Sequence, residues 1–324
     1  MKKNIAVVMG GYSSEANISL QSGEIVCKHL NREKYCVYKV HILPDKWFAL
    51  VDNKEFKIDK NDFSFTKGNK KIIFDCVFNA IHGNPGENGK LLAYFDLLNL
   101  KHNSAPFYQM ALTFNKRDTL SVLRQYGIAT AKSVYLNKGD AFSTKAIIDK
   151  LGLPCFVKPN NSGSSFGITK VYKDKEFSIA LDKAFNEDSE VLIESYLKGT
   201  EVSVGVIKYK GKTVVLPITE IVSNNDFFDY DAKYSGQSEE ITPARLTESQ
   251  RQNTYRVAKK VYEVLKLKGF SRSEYILVND IPHLLEVNTV PGLAQASILP
   301  KQAKEFGISL GELLNNAVEQ VLYA

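Results

Sequence analysis

The chain reads as an α/β protein of two or three domains, and three observations predict it. Apolar strand-like runs alternate with helical segments over the first hundred residues. A glycine- and serine-rich loop around Gly163 joins two strand-like runs. The 324 residues, 44% of them hydrophobic, suffice for more than one buried core.

Residues 4–9 form a short apolar run closed by Gly10-Gly11, and from Ser19 onward apolar positions at Ile25, Val26 and Leu30 mark a helix. Strands are expected at 37–42 and 72–78 and a helix at 91–98, which together make a small parallel-sheet domain. Ligands of such sheets bind beyond the carboxyl ends of the strands, where residues 10–15 and 82–89 lie. From Lys116 the pattern changes: a helix through Leu123, a strand at 133–136, a helix at 144–151 and a strand at 155–158. There follow Pro159-Asn160-Asn161-Ser162-Gly163-Ser164-Ser165-Phe166-Gly167 and a second strand at 168–172. Phosphate loops of P-loop and dinucleotide-binding folds join a strand to a helix, so both readings are excluded. Gly89-Lys90 does not complete a Walker motif either, since Leu91 follows it and Asn84 stands where the leading glycine belongs. After Gly199 come strands at 201–208 and 213–220, a polar and aromatic stretch at 223–238, and a helix at 248–265. A hairpin-like pair and a final amphipathic helix at 310–322 close the chain, which has no internal repeat.

The charge of +6, from 42 basic and 36 acidic residues, suits an anionic small substrate and equally a merely soluble surface. No basic run interleaved with aromatics points to nucleic acid. The apolar runs fall far short of the roughly 20 residues that cross a bilayer, and Met1-Lys2-Lys3 leads straight into a strand. Neither a signal peptide nor a membrane span is expected. Cys27, Cys36, Cys76 and Cys155 form no Cys-x-x-Cys pair and suit reduced core thiols, hence a cytoplasmic protein.

Three segments carry chemistry. The first is Arg272-Ser273-Glu274, then residues 275–278, the turn Asn279-Asp280, and Leu284-Leu285-Glu286-Val287-Asn288. Residues two apart in a strand share a face. If the strands fold back about Asp280, Glu274 lies opposite Glu286 and Arg272 opposite Asn288. Two carboxylates about 5 Å apart repel unless a cation lies between them, and two acids with one amide suit magnesium. An ordinary ion pair on a solvated hairpin face is the alternative, and a turn one residue longer or shorter would flip the faces. The second segment is Lys158 with the loop 160–167, where Gly163 and Gly167 let backbone N–H groups approach an anion, Ser162, Ser164 and Ser165 add hydroxyls, and Lys158 adds a point charge. A plain polar hairpin loop is the alternative. The third is Gly10-Gly11-Tyr12-Ser13-Ser14-Glu15, where Glu15 is placed either to hold a substrate ammonium or to complement a helix start. His82-Gly83, in the next such loop, is similarly ambiguous.

Together these segments resemble the D-alanine-D-alanine ligase family of the ATP-grasp superfamily. The likeness is carried by Gly10 to Glu15, Asn79-Ala80-Ile81-His82-Gly83, Pro85-Gly86-Glu87-Asn88-Gly89, Phe156-Val157-Lys158-Pro159, Gly163-Ser164-Ser165, Val191-Leu192-Ile193-Glu194, Asp229-Tyr230-Asp231-Ala232-Lys233-Tyr234 and Leu285-Glu286-Val287-Asn288-Thr289-Val290-Pro291-Gly292. They stand in family order from residue 10 to about 300.

The resemblance implies a three-domain ATP-grasp fold: an N-terminal α/β substrate-binding domain over 1–102, a central ATP-grasp subdomain over 103–198 and a C-terminal catalytic subdomain over 199–324. It implies ATP contacts at Lys116, Lys158, Ser165, Leu197, Glu194 and Glu201, the last two acids matching those near adenine and ribose. Glu274, Glu286 and Asn288 match ligands of two magnesium ions, with manganese as a substitute. D-Alanyl phosphate would form from ATP and be attacked by a second D-alanine, with Arg272 and the Gly292 N–H holding the oxyanion. Glu15 would hold the first ammonium in a set with Ser164 and Tyr234, His82 would lie near the first subsite, and Lys233, Ser297 and Ile298 would serve the second. Closure of the loop carrying Lys233 and Tyr234 would exclude water. Tyr234 favours an amine as second substrate, so D-alanyl-D-alanine for peptidoglycan precursors is the expected product. D-alanine-D-lactate ligation, or another ATP-grasp carboxylate-amine ligation, is the alternative. The family also implies a homodimer. Two departures from its pattern stand out: Glu274 replaces the usual aspartate and Ile298 the common leucine.

Overall fold

The computed structural model describes residues 2–163, 165–223 and 238–323. Three sheets make its frame, with a two-stranded ribbon beside them. The first sheet runs in the order Lys54–Lys57, Trp47–Val51, Tyr35–Ile42, Lys3–Gly10, Cys76–Asn79. Its last three strands are parallel, and the helix Ala16–His29 crosses between Lys3–Gly10 and Tyr35–Ile42. The expected parallel core is therefore present, extended at one edge by an antiparallel pair that periodicity did not mark.

The expected strand at 72–78 is two elements. Lys70–Ile72 pairs with Phe65–Lys67 in the ribbon, whereas Cys76–Asn79 joins the main sheet. Asp75 makes the break, because its carboxylate accepts from the Asn4 N–H and from Lys3 Nζ, both at 2.8 Å, and so is drawn to the neighbouring strand's start.

The second sheet is antiparallel throughout, in the order Thr169–Val171, Cys155–Pro159, Glu190–Ser195, Ser133–Asn137. Alternation sends Cys155, Val157, Val171, Val191 and Ile193 into a core shared with Ile147, Phe177 and Leu181 of the helices Thr144–Leu151 and Phe177–Phe185. Phe156, Lys158, Lys170 and Glu194 consequently point the other way.

The third sheet is ordered Ser238–Ile241, Thr219–Ser223, Thr200–Tyr209, Phe270–Val278, Ile281–Asn288, with Lys212–Val215 also on the edge of Thr200–Tyr209. The strand expected at 213–220 is thus interrupted. Leu216 N–H still donates to Gly205 O at 2.8 Å, but Pro217 has no N–H to continue the ladder. The last helix, Leu310–Leu322, matches its expected bounds and buries Leu313, Leu314 and Val318 in a core that also holds Ile5, Val7 and Phe78 of the first sheet and Ile207 and Phe270 of the third. That shared core fixes the loops at the ends of the first sheet over the third.

The hairpin Phe270–Val278/Ile281–Asn288 decides the site. Its turn residues Asn279 and Asp280 both have positive φ, 47° and 64°, as a two-residue type I′ turn requires. From that turn the pairs run Val278↔Ile281, Leu277↔Pro282, Ile276↔His283 and Tyr275↔Leu284. Continued regularly, this ladder would set Glu274 against Leu285. A bulge intervenes, Leu285 is left over, and the pairs resume as Glu274↔Glu286, Ser273↔Val287 and Arg272↔Asn288. The expected pairing is therefore found, but by a tighter turn and a compensating bulge rather than by a turn about Asp280.

Candidate active site

Two connected cavities lie between the second and third sheets and under the loops of the first. The larger, of about 410 Å³, is lined by Lys116, Lys158, Ser165, Glu194, Leu197, Glu201, Glu274 and Glu286 among others. The smaller, of about 140 Å³, is lined by Glu15, His82, Glu87, Arg272, Asn288, Gly292 and Ser297. Lys116, Ser162, Gly163 and Glu286 border both, so the cavities meet at those residues.

In the larger cavity, antiparallel register places Lys158 opposite Leu192 and Phe156 opposite Glu194, so Lys158 and Glu194 are diagonal neighbours on one face. Their side chains, 9% and 4% exposed, form an ion pair at 2.5 Å through Glu194 Oε2. Glu194 Oε1 is buried and has no hydrogen-bond partner among the described residues. An acceptor in that state favours a ligand that brings an N–H donor. Lys116 stands in the first turn of the helix Lys116–Gln125, whose cap Asn115 accepts from the Asp118 N–H at 2.9 Å. From there Nζ donates to the carbonyl of Ser162 and lies 3.4 Å from Glu286 Oε2. One lysine therefore ties the glycine-rich loop to the hairpin.

On the hairpin, Arg272 Nη1 donates to Ser203 Oγ at 3.0 Å and to Glu274 Oε1, in keeping with the shared face. Burial alone would lower the pKa of this guanidinium, but the carboxylates of Glu274 and Glu286 outweigh burial and raise it, so it stays charged. Asn288 Oδ1 accepts from the Val290 N–H at 2.9 Å. Its second lone pair remains for a ligand.

In the smaller cavity three loops converge on Glu15. A Cβ on Gly83 would meet Ser13 Oγ at 2.7 Å and Glu15 Oε2 at 3.2 Å, and a Cβ on Gly163 would meet both Glu15 oxygens at 2.7 Å. Burial drives His82 down to about 4, so the ring is neutral; its Nε2 lies 3.0 Å from Ser22 Oγ. A Cβ on Gly292 would meet Ser297 Oγ at 2.9 Å, which puts these two side by side.

Glu87 is the acid that sequence reasoning left without a role. It is buried on the smaller cavity, accepts from the Gly83 N–H at 3.0 Å, and is pushed up to about 8 by burial and then by the nearby Glu15. Its signal was an acid in the second loop beyond the first sheet, a position already marked for Glu15 in the first.

Of the residues expected at the site, Ile298 does not line either cavity: as the first residue of Ile298–Glu305 its side chain is buried against Ile221. Ser164, Lys233 and Tyr234 lie outside the described residues. All other expected site residues border one of the two cavities. Among the described residues no group of three His, Cys, Asp or Glu is gathered to hold a metal.

Two family models match the chain, "D-ala D-ala ligase N-terminus" over residues 4–105 and "D-ala D-ala ligase C-terminus" over 122–319. The D-alanine–D-alanine ligase of Flavobacterium johnsoniae is 59% identical over 318 residues, covering 98% of each chain. Among solved structures, the VanG D-Ala:D-Ser ligase from Enterococcus faecalis superposes with a TM-score of 0.88 at 28% identity, covering 100% of both chains. A D-alanine–D-alanine ligase from Bacillus anthracis complexed with ATP gives 0.78 at 29% identity over 98% of this chain and 96% of that one.

Proposed function

Since the chain belongs to the D-alanine–D-alanine ligase family, we propose that its larger cavity takes ATP, its smaller one takes the reacting D-alanines, and the bond is made where the two meet. The protein joins two D-alanines to D-alanyl-D-alanine at the expense of ATP, for cell-wall precursor synthesis. The observation that carries the assignment of roles is the junction itself: Lys116 and Glu286 border both cavities, with Arg272 facing the smaller one.

The carboxylate of the first D-alanine attacks the γ-phosphorus and ADP leaves, which gives an acyl phosphate. This step asks for alignment and charge neutralisation rather than covalent help from the protein. Lys158 and Lys116 are the cations along the nucleotide cavity, and Glu194 offers its unpartnered oxygen to the amino group of the base. Glu15 holds the first ammonium in the pocket that it shares with neutral His82. The amine of the second D-alanine, having lost a proton, attacks the acyl carbon; phosphate leaves and an amide remains. Arg272 and the Gly292 N–H stabilise the oxyanion between those events. Ser297 and the first-turn N–H of Ile298 receive the second carboxylate, a role that leaves the Ile298 side chain in the core. Lys233 and Tyr234 belong to the same reading, as does Ser164.

The donor set Glu274, Glu286 and Asn288 fits magnesium, or manganese in its place. It is all oxygen, its two carboxylates stand opposite each other across the hairpin, and glutamate at 274 preserves the charge of an aspartate. When bound, magnesium would supply positive charge to offset that of the transferring phosphoryl group. The domain division at 102/103 and 198/199, a homodimer and a cytoplasmic location complete the proposal; the last is supported by four free cysteines and by the absence, among the described residues, of a helix long and apolar enough to cross a membrane.

The test is phosphate release from ATP with magnesium and D-alanine alone, or D-alanine with D-lactate or D-serine, with products identified by mass. D-Alanine-dependent release with D-alanyl-D-alanine as sole product is expected. A mixed product formed in preference to it would overturn the reading of the second subsite.

A further inference from the structure

Lys170 belongs to none of the roles above, although it follows the glycine-rich loop directly. It stands in Thr169–Val171 with its backbone paired to Phe156, which is in turn paired to Glu194. Lys170, Phe156 and Glu194 therefore form a row across the face of the second sheet that looks away from its core. Tyr172, two residues on from Lys170, and Tyr196, two on from Glu194, extend the same face. The ammonium of Lys170 lies 4.5 Å from the ring centroid of Tyr196, 5.2 Å from that of Tyr172 and 5.9 Å from that of Phe156. The rings of Phe156 and Tyr196 are themselves 6.4 Å apart and tilted by 37°. Both line the larger cavity, together with Ile168 and the Lys158–Glu194 pair. Lys170 does not line it.

We propose that Lys170 is a positioning residue for the base of the bound nucleotide: its cation gathers Phe156 and Tyr196 into a preformed aromatic wall of the cavity. This rests on the reading of that cavity as the ATP site. Two physical effects follow from the placement. A cation held at the π-face attracts the ring quadrupole and restrains the side-chain torsions of rings that are otherwise partly exposed, so less freedom is lost when a base arrives. It also draws electron density from the rings, which favours contact with an electron-rich purine. Neither effect reaches the reacting phosphate, so the consequence belongs to nucleotide affinity and not to the chemical step.

The experiment measures KM for ATP, KM for D-alanine and kcat for wild type, Lys170→Met, Lys170→Arg, Tyr196→Leu and the Lys170→Met/Tyr196→Leu double variant, with direct ATP binding by calorimetry. Lys170→Met should raise KM and Kd for ATP about 3- to 10-fold, the order of one or two cation–π contacts, with kcat and KM for D-alanine within about twofold. Lys170→Arg, which keeps a cation able to lie on the rings, should restore most of the affinity. The double variant should lose less than the sum of the two single losses, because the cation acts in part through the Tyr196 ring. Unchanged ATP affinity in Lys170→Met, fully additive losses in the double variant, or a fall in melting temperature without an affinity change would each overturn the proposal. Failure of the wild type to bind ATP would instead overturn the site assignment beneath it. Should Lys170→Met not fold, Lys170→Arg against Lys170→Gln makes the same comparison at constant side-chain polarity.

Discussion

Gly163 is where the smallest chemical change should separate folding from function. An added methyl would sit 2.7 Å from both carboxylate oxygens of Glu15 and 3.0 Å from its carboxyl carbon, whereas ordinary contact begins at 3.4 Å. The backbone does not oppose alanine, since Gly163 is not among the positive-φ residues. The obstacle is thus the far end of one side chain, which must retreat by about 0.7 Å to reach that contact distance. A retreat of that size costs the fold little, and the lost chain entropy of glycine returns about 0.4–1 kcal/mol. The melting temperature of Gly163→Ala should therefore stay within about 3 °C of wild type. Catalysis is less tolerant, because a displacement near 1 Å at a reacting centre costs about 10²-fold. Gly163→Ala should lose about 30- to 100-fold in kcat/KM for D-alanine, or about 2–3 kcal/mol of transition-state stabilisation, with ATP binding retained. Steady-state phosphate release and thermal melting on the same preparation decide it. Wild-type kcat/KM in a folded variant would refute the positional role of Glu15, and a collapse in melting temperature would show that Gly163 serves the backbone instead.

Three further outcomes follow from the buried charges. Lys158→Met strands Glu194 without its cation and should destabilise the protein by about 3–5 kcal/mol, most of it recovered in Lys158→Met/Glu194→Gln, as read by denaturant unfolding; equal stability of the two variants would mean that the pair is solvated. Arg272→Lys keeps a charge near Glu274 but lacks the further guanidinium nitrogens that stay available while Nη1 holds Ser203 and Glu274, so dipeptide formation should fall about 10²–10³-fold while ATP binding persists; parallel loss of both would make Arg272 a structural ion pair. Glu87 keeps its proton up to about 8 in the native state, against an ordinary value of 4.5. Its contribution to stability is therefore complete below that ordinary value and is lost as pH rises through about 8. Glu87→Gln should flatten the fall in unfolding free energy over that window, and superimposable pH profiles would show that the carboxyl ionises normally.

The helices Thr144–Leu151 and Leu310–Leu322 were legible to the residue because their apolar positions recur with helical period and serine caps precede them: Ser143 accepts from the Ala146 N–H and Ser309 from the Glu312 N–H. What periodicity missed were long-range events. No local signal in the apolar run 72–78 says that Asp75 is claimed by Asn4 and Lys3, nor that residues 47–57 turn back as a hairpin on the parallel sheet. At the site, Glu274, Glu286, Lys158 and Glu15 were legible as charges with no apolar reason to be where they are. Glu87 was overlooked because its carboxyl acquires its character only from burial beside Glu15. Nothing in the sequence told whether Ile298 meets the site by side chain or backbone: its side chain packs against Ile221, which leaves only its N–H, in the first turn of Ile298–Glu305, for the proposed role.

The hairpin's bulge bears on how this chain can change in length. Because side chains alternate strictly, the two-residue turn and the one surplus residue at Leu285 act as a parity pair: each alone would exchange the cavity-facing and core-facing sets, and only together do they return Glu286 and Asn288 to the cleft and Val287 to the core. A one-residue insertion or loss in the turn must accordingly be matched by a gain or loss of the bulge. Even-numbered changes in the turn escape that requirement. Loop-length variants of residues 279–280 should sort into active and inactive by odd or even count, a discrete rule where gradual loss with length would otherwise be the natural expectation.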